Sequence, residues 1–300
     1  MSKSRPRGMA PWRPQARSRV LLEQVQAILA RYAEQLPLTI RQMFYLLVAG
    51  YDYDKTENAY ERLGELLNRA RRARQIPFEV IRDDGIIKGG PIAFSGRTAF
   101  WNWVRRRARG AQLAERMVGQ PVAIEVWCEA TGMVPQLERV AEPYGIRVYA
   151  CPGFDSVTFK YQAAVRALAR TVPTVILHLG DHDPSGQSLF NNLVEDVGKF
   201  VEDLGGPLGW VRFQRVAVTQ QQIEDYHLPT APPKPTDRRG RWEGGTVQCE
   251  ALPPDVLADE LRAAIEALID RQIMDQVLEA ERDERDEVLA DLAWLRQHRL

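Results

Sequence analysis

The sequence predicts a mixed α/β protein of 300 residues, and three observations lead to this class. Two helical segments joined by a short turn occupy the N-terminal quarter. Apolar runs with strand-like patterns recur at 121–129, 145–150 and 172–179, with helical patterns between them. Strand, helix, strand, helix, strand implies a parallel sheet with helices on its faces. A charged segment with helical period ends the chain.

The N-terminal segments suggest a winged helix-turn-helix. A first helix is predicted over 37–50, where Thr39 and Gln42 have the spacing of a capping box. A second helix is predicted from about 56 to 74, followed by an extended segment at 76–82. Two helices, a short turn and an extended segment form the order typical of a winged DNA-binding unit.

The end of the second helix carries arginines that could neutralise DNA phosphates: Arg69, Arg71, Arg72 and Arg74. The alternative is a solvated basic helix end that favours the helix dipole. Residues 1–110 hold 21 Lys and Arg against 10 Asp and Glu, whereas the remainder holds 19 against 30. Although the net charge is zero, this asymmetry fits a DNA-docking part joined to a metal-binding part.

Three carboxylates follow predicted strands. Glu129 comes after the strand at 121–128, while Asp181 and Asp183 come after the strand at 172–179. Because alternate residues of a strand share a face, the two aspartates are expected to point the same way. Such like charges repel unless a hard cation such as Mg²⁺ lies between them. A solvated Asp-x-Asp turn is the alternative.

These residues resemble the acidic motifs of a Toprim domain. Gly180-Asp-His-Asp-Pro-Ser-Gly186 is similar to the Asp-x-Asp-Pro-x-Gly form of the topoisomerase VI A subunit and its meiotic double-strand-break relatives. Residues 151–158 resemble the Gly-rich turn that those proteins carry between the acidic motifs. The resemblance covers about residues 20–220. Within the family, it points to the stand-alone bacterial or phage members, called the mini-A type. Ala130 departs from the family, in which lysine often follows the glutamate.

A second motif of the same family is Arg41-Gln-Met-Phe-Tyr45, which resembles Arg-x-x-Tyr/Phe-Tyr. The resemblance implies that Tyr45 is the nucleophile and that Arg41, one helical turn earlier, contacts phosphate or favours the phenolate. A tyrosine in an apolar helix is more often a core residue. Tyr51 and Tyr53, in the following turn, are the competing tyrosines.

The resemblance implies Mg²⁺-dependent double-strand cleavage of DNA by tyrosine transesterification, with Glu129, Asp181 and Asp183 holding the ion. In the family the tyrosine of one subunit works with the metal of its partner, so a homodimer is implied, and a separate ATPase subunit is a possible partner. One alternative is a Toprim nuclease that hydrolyses DNA with metal-bound water and keeps Tyr45 as core. Another is a non-catalytic DNA-binding protein.

The predicted organisation is a disordered basic arm at 1–19, a winged-helix domain at 20–92, a linker helix at 93–119, a Toprim domain at 120–225, and a loop with a helical extension at 226–300. Within the extension, Glu250 could approach the metal site. The sequence contains no nucleotide-binding phosphate loop. Its three scattered cysteines and the lack of a long apolar run predict a cytoplasmic, nucleoid-associated protein.

Overall fold

A computed structural model describes residues 9–82, 92–150, 156–232, 242 and 244–299. The mixed α/β class is confirmed, because helices surround sheets of parallel strands. The helices are α1 (Ala16–Arg31), α2 (Ile40–Tyr51), α3 (Glu57–Arg72), α4 (Arg97–Gly110), α5 (Val134–Ala141), α6 (Val157–Leu168), α7 (Pro184–Asp203), α8 (Gln220–Asp225), α9 (Pro254–Glu266) and α10 (Arg271–Arg299). The strands are β1 (Leu38–Thr39), β2 (Ile81–Arg82), β3 (Ala123–Cys128), β4 (Arg147–Ala150), β5 (Thr174–Leu179) and β6 (Val211–Ala217).

The N-terminal region contains the two predicted helices. Thr39 caps α2 through the full capping box with Gln42, and Thr56 caps α3. The segment at 76–82 is less extended than expected, because a 3-10 turn at Phe78–Val80 follows Pro77 and only the two residues of β2 pair with β1. Helix α1 begins inside the segment predicted to be a disordered arm. The residues where a wing would follow, 83–91, lie outside the described residues.

The main sheet has the strand order β4-β3-β5-β6 with all pairs parallel. Its side chains alternate as strand geometry requires. On β3, Val126 belongs to the large core cluster that also contains α1, α2, α3 and α9, while Trp127 belongs to a second cluster with α6 and α7. The sheet is therefore covered on both faces. The carboxyl ends of its strands are where a ligand site is expected in such a fold.

The C-terminal helices close the fold. Helix α9 packs on α5 and β6, and α10 packs on α4. Glu281 of α10 is buried and accepts bonds from Arg116 at 2.6 and 2.9 Å. None of the helices in the described ranges is both long and apolar enough to cross a membrane.

Candidate active site

The acidic residues lie at the carboxyl ends of neighbouring strands. Cys128 of β3 is in register with Leu179 of β5, so Glu129 and Gly180 leave the sheet side by side. The amide of Glu129 donates to the Leu179 carbonyl at 3.0 Å. Asp181 lies in the loop after β5 rather than on the strand itself, so strand alternation does not set its direction.

Two glycines allow the chain to fold tightly around these acids. A Cβ added at Gly180 would approach the Oε2 atom of Glu129 to 3.0 Å and the His178 ring to 2.7 Å. A Cβ at Gly186 would collide with the carbonyl oxygen of Asp181. The glycines of the Gly-Asp-His-Asp-Pro-Ser-Gly segment are therefore needed for close approach of the backbone.

Each aspartate uses one carboxylate oxygen to fix the local backbone. Asp181 Oδ1 accepts a bond of 2.9 Å from the backbone amide of Cys249. Asp183 is the N-cap of α7, and its Oδ1 accepts from the Gly186 amide at 2.6 Å. Among the described residues, neither Oδ2 atom accepts a protein hydrogen bond, so both remain available to a ligand.

The acids perturb one another. Burial raises the pKa of Glu129, and the charges of Asp181 and Asp183 raise it further. Burial likewise raises the pKa of Asp181, with Asp183 adding to the effect. Glu250 is a fourth carboxylate in this group, because burial and the charge of Asp181 raise its pKa. Clustered carboxylates in a cleft are typical of functional sites.

The fit of this group to Mg²⁺ rests on its chemistry. The side chains of Glu129, Asp181 and Asp183 offer only hard oxygen ligands. A cation would offset the burial and the neighbouring negative charge that raise the pKa of Glu129 and of Asp181. Across the part of the chain that the structure describes, no three His, Cys, Asp or Glu side chains already form a group that could hold a metal ion. The residues thus match the ion by donor type and charge, without a preformed cage.

Arg215 of β6 was not predicted as a site residue. Its guanidinium donates to the backbone carbonyls of Gly180, at 3.1 Å, and of Asp181. Its charge also acts on the carboxylates of Glu129, Asp181 and Asp183. The Arg-x-x-Arg pattern of β6 was the only sequence signal, and it does not reveal a contact with a loop 34 residues away.

Tyr45 lies next to this acidic group and is 6% exposed. Its hydroxyl donates to Gln248 Oε1 at 2.8 Å, and Gln248 immediately precedes the Cys249 amide that holds Asp181. Burial, opposed in part by Arg41, raises the pKa of Tyr45 to about 12. At pH 7 about one such phenol in 10⁵ is ionised.

An open cavity of about 400 Å³ adjoins Tyr45, and its charged lining residues are two cations, Arg41 and Lys55, and one carboxylate, Glu57. Arg41 lies over the Tyr60 ring, 5.9 Å from its centroid. The ammonium of Lys55 lies 5.5 Å from the centroid of the Tyr45 ring and donates to the Pro229 carbonyl at 2.6 Å. The cavity therefore offers positive charge beside the tyrosine, which suits a phosphate group. Lys55 was not predicted from the sequence.

The competing tyrosines are placed differently. Tyr51 is exposed at the end of α2. The Tyr53 hydroxyl donates to the Ala59 carbonyl at 2.8 Å, which ties it to α3. Neither of them lines the cavity with Arg41. Among these three tyrosines, Tyr45 has the surroundings that best suit phosphate chemistry.

The four arginines predicted to contact DNA have different surroundings. Arg71 is buried with its guanidinium 5.5 Å from the centroid of the Phe78 ring, which favours a packing role. Arg69 pairs with Glu65, and Arg72 donates to Asn68 at 2.7 Å. Arg74 is exposed. A further basic surface, not predicted, lies on α4: Arg105, Arg106, Arg107 and Arg109 are all exposed.

No protein-family model matches the chain, and no curated protein matches it. Of the motifs used in the sequence analysis, residues 151–155 of the Gly-rich turn lie outside the described residues. The residues of the acidic group and of the tyrosine cavity are therefore the features from which a function can be inferred.

Proposed function

We propose that this chain is a DNA-cleaving transesterase in which Tyr45 attacks a phosphodiester, with an N-terminal winged-helix unit and a Toprim-like sheet as its parts. The observation that carries the proposal is the proximity of Tyr45 to Asp181: the hydroxyl binds Gln248, and the next residue binds the aspartate. Residues separated by more than a hundred positions thus share one site. Double-stranded DNA is the proposed substrate.

The proposed step conserves bond energy. Tyr45 Oη forms a bond to phosphorus while the bond from phosphorus to the 3′ oxygen breaks. The phenol proton of Tyr45 passes to solvent, and the leaving 3′ oxygen takes a proton from solvent. The protein remains joined to the 5′ phosphate, from which the 3′ hydroxyl can later displace it.

The chain's residues have separate roles in this step. Arg41 and Lys55 bind the phosphate in the cavity, and the positive charge of Arg41 favours the phenolate. Glu129, Asp181 and Asp183 would hold Mg²⁺, which when bound stabilises charge on the phosphate and on the leaving oxygen. Arg215 holds the loop that carries the two aspartates. In the arrangement described here Tyr45 is a neutral phenol, because its pKa is about 12.

The test is trapping of the covalent product. Supercoiled plasmid and Mg²⁺ are incubated with the protein, the mixture is denatured, and protein attached to 5′ ends is measured. Tyr45→Phe is expected to abolish attachment, whereas Tyr51→Phe, a matched change at the exposed end of the same helix, is expected to preserve it. Attachment that persists in Tyr45→Phe would refute the proposal.

A Toprim-like nuclease is the second candidate, and the burial of Tyr45 favours it. A phenol that is 6% exposed and already bonded to Gln248 is also what a core tyrosine looks like. In that case Tyr45→Phe keeps Mg²⁺-dependent cleavage, and no protein is found on the DNA ends.

A DNA-binding protein without cleavage is the third candidate. Its support is the exposed arginines, Arg74 and those of α4, which would bind DNA without any metal. Such a protein would shift DNA in a binding assay and leave plasmid intact both with Mg²⁺ and with a chelator.

A further inference from the structure

A short C-terminal segment, residues 246–251, connects α2, the helix that carries Tyr45, to the acidic loop of the same chain. The acidic loop is the segment between β5 and α7 that carries Asp181 and Asp183. The backbone of Val247 pairs with that of His182 in both directions, at 2.7 and 2.9 Å. Gln248 accepts the Tyr45 hydroxyl, and the Cys249 amide donates to Asp181. Three consecutive residues thus contact, in turn, the acidic loop, Tyr45 and the acidic loop again.

This segment is part of the core. Val247 is 2% exposed, and Cys249 is fully buried. Helix α2 packs directly against the turn at Cys249–Ala251, and Tyr45 belongs to the same apolar cluster as Cys249. Core packing and the bond to Gln248 therefore hold Tyr45 beside the acidic loop of its own chain.

Charged residues of the same chain act on the Tyr45 phenol. The charges of Glu250 and Asp181 raise the pKa of the Tyr45 phenol, after the larger effect of burial, while Arg41 lowers it. Glu250 and Asp181 in turn act on each other. Glu250 and Asp181 of the same chain therefore lie close to Tyr45.

We propose that Tyr45 works with the acidic residues of its own chain, so that each chain carries a complete site. This inference rests on the proposed cleavage function. It differs from the arrangement implied by the resemblance, in which the tyrosine acts with the metal site of a partner chain. Gln248 is a positioning residue in this arrangement, because it holds the hydroxyl beside Asp181.

The test uses two kinds of mixed dimer, made by co-expressing two differently tagged chains and purifying over both tags. The first combines a Tyr45→Phe chain with an Asp181→Asn chain. The second combines the wild-type chain with a chain carrying both substitutions. A site within one chain predicts no covalent product from the first dimer and about half of the wild-type amount from the second, since one site of two survives.

A site shared between chains predicts the reverse pattern, which would overturn the inference. Glu129→Gln replaces Asp181→Asn if the latter chain lacks the wild-type circular dichroism spectrum. If the tags do not co-purify and wild-type protein still forms the covalent product, one chain is sufficient and the inference is supported. Failure of the wild-type protein to attach to DNA refutes the proposed function instead.

A second measurement is independent of cleavage. Photoreactive azidophenylalanine is incorporated at position 45, and the irradiated protein is analysed on a denaturing gel and by peptide mapping. We expect a link within one chain to residues 246–251. A product with the mass of two linked chains would overturn the inference even if no cleavage is detected.

Discussion

The hydrogen bond between Tyr45 and Gln248 can be tested by a double-mutant cycle. Gln248→Met removes the acceptor with little change in side-chain size, and Tyr45→Phe removes the donor. The donor–acceptor distance of 2.8 Å and the 6% exposure of Tyr45 describe a well-formed bond. Because the hydroxyl adjoins the open cavity, water can replace part of the loss, so we expect a coupling free energy of about 1 kcal/mol.

The cycle is measured by urea unfolding of the wild-type protein, the two single variants and the double variant, monitored by circular dichroism. Gln248→Met should lower the free energy of unfolding in the wild-type background and have little effect when residue 45 is Phe. The slopes of the unfolding curves must agree among the four proteins for the comparison to hold. A coupling below roughly 0.3 kcal/mol would refute the reasoning, since independent sites add to within that margin.

Four further predictions follow from particular contacts. Since the pKa of Tyr45 is about 12, the rate of covalent attachment should rise about tenfold per pH unit from neutral pH upward. The rate is measured by stopping the reaction at set times. A rate that does not change with pH would contradict attack by the phenolate. Because burial raises the pKa of Glu129, its ionised form destabilises the fold at neutral pH, and Glu129→Gln should raise the melting temperature in chelator. The gain should shrink as pH falls through the raised pKa and vanish below the ordinary pKa of a glutamate, where the unfolded chain is protonated too. Glu125 is 2% exposed and bonds Arg166 and Arg170, so Glu125→Ala should lower the free energy of unfolding by roughly 3–5 kcal/mol; a loss below about 1 kcal/mol would show that the pairs are dispensable. Arg74→Gln should weaken DNA binding. If Arg74 contacts one phosphate, the slope of log K against log salt concentration should become less steep by about 0.9. Arg71→Gln should instead lower the melting temperature, because Arg71 is buried.

Local sequence patterns were sufficient to predict most elements. Capping-box spacing located the start of α2 at Thr39, because side-chain caps depend on residues three positions apart. Apolar runs located β3 and β5, since strands of a parallel sheet that is buried on both faces are apolar at nearly every position. The order of strands and helices then placed Glu129 and Asp181 at one edge.

Contacts between distant segments could not be predicted in this way. Lys55 reaches Tyr45 because the turn after α2 packs near Pro229, and neither residue has a distinctive pattern. Gln248 lies 203 positions from the tyrosine it binds. The burial of Arg71 was likewise missed, because an arginine-rich helix end has the same sequence pattern whether its members face solvent or a neighbouring ring.

The support of Asp181 by Cys249 is made by the main chain, and this has a consequence for sequence variation. Every amino acid except proline carries an amide proton at that position, so the aspartate keeps its partner whatever small side chain replaces the thiol. Chains of this kind can therefore diverge at residue 249 without losing the interaction. A search for relatives by residue identity would overlook a feature that only backbone geometry preserves.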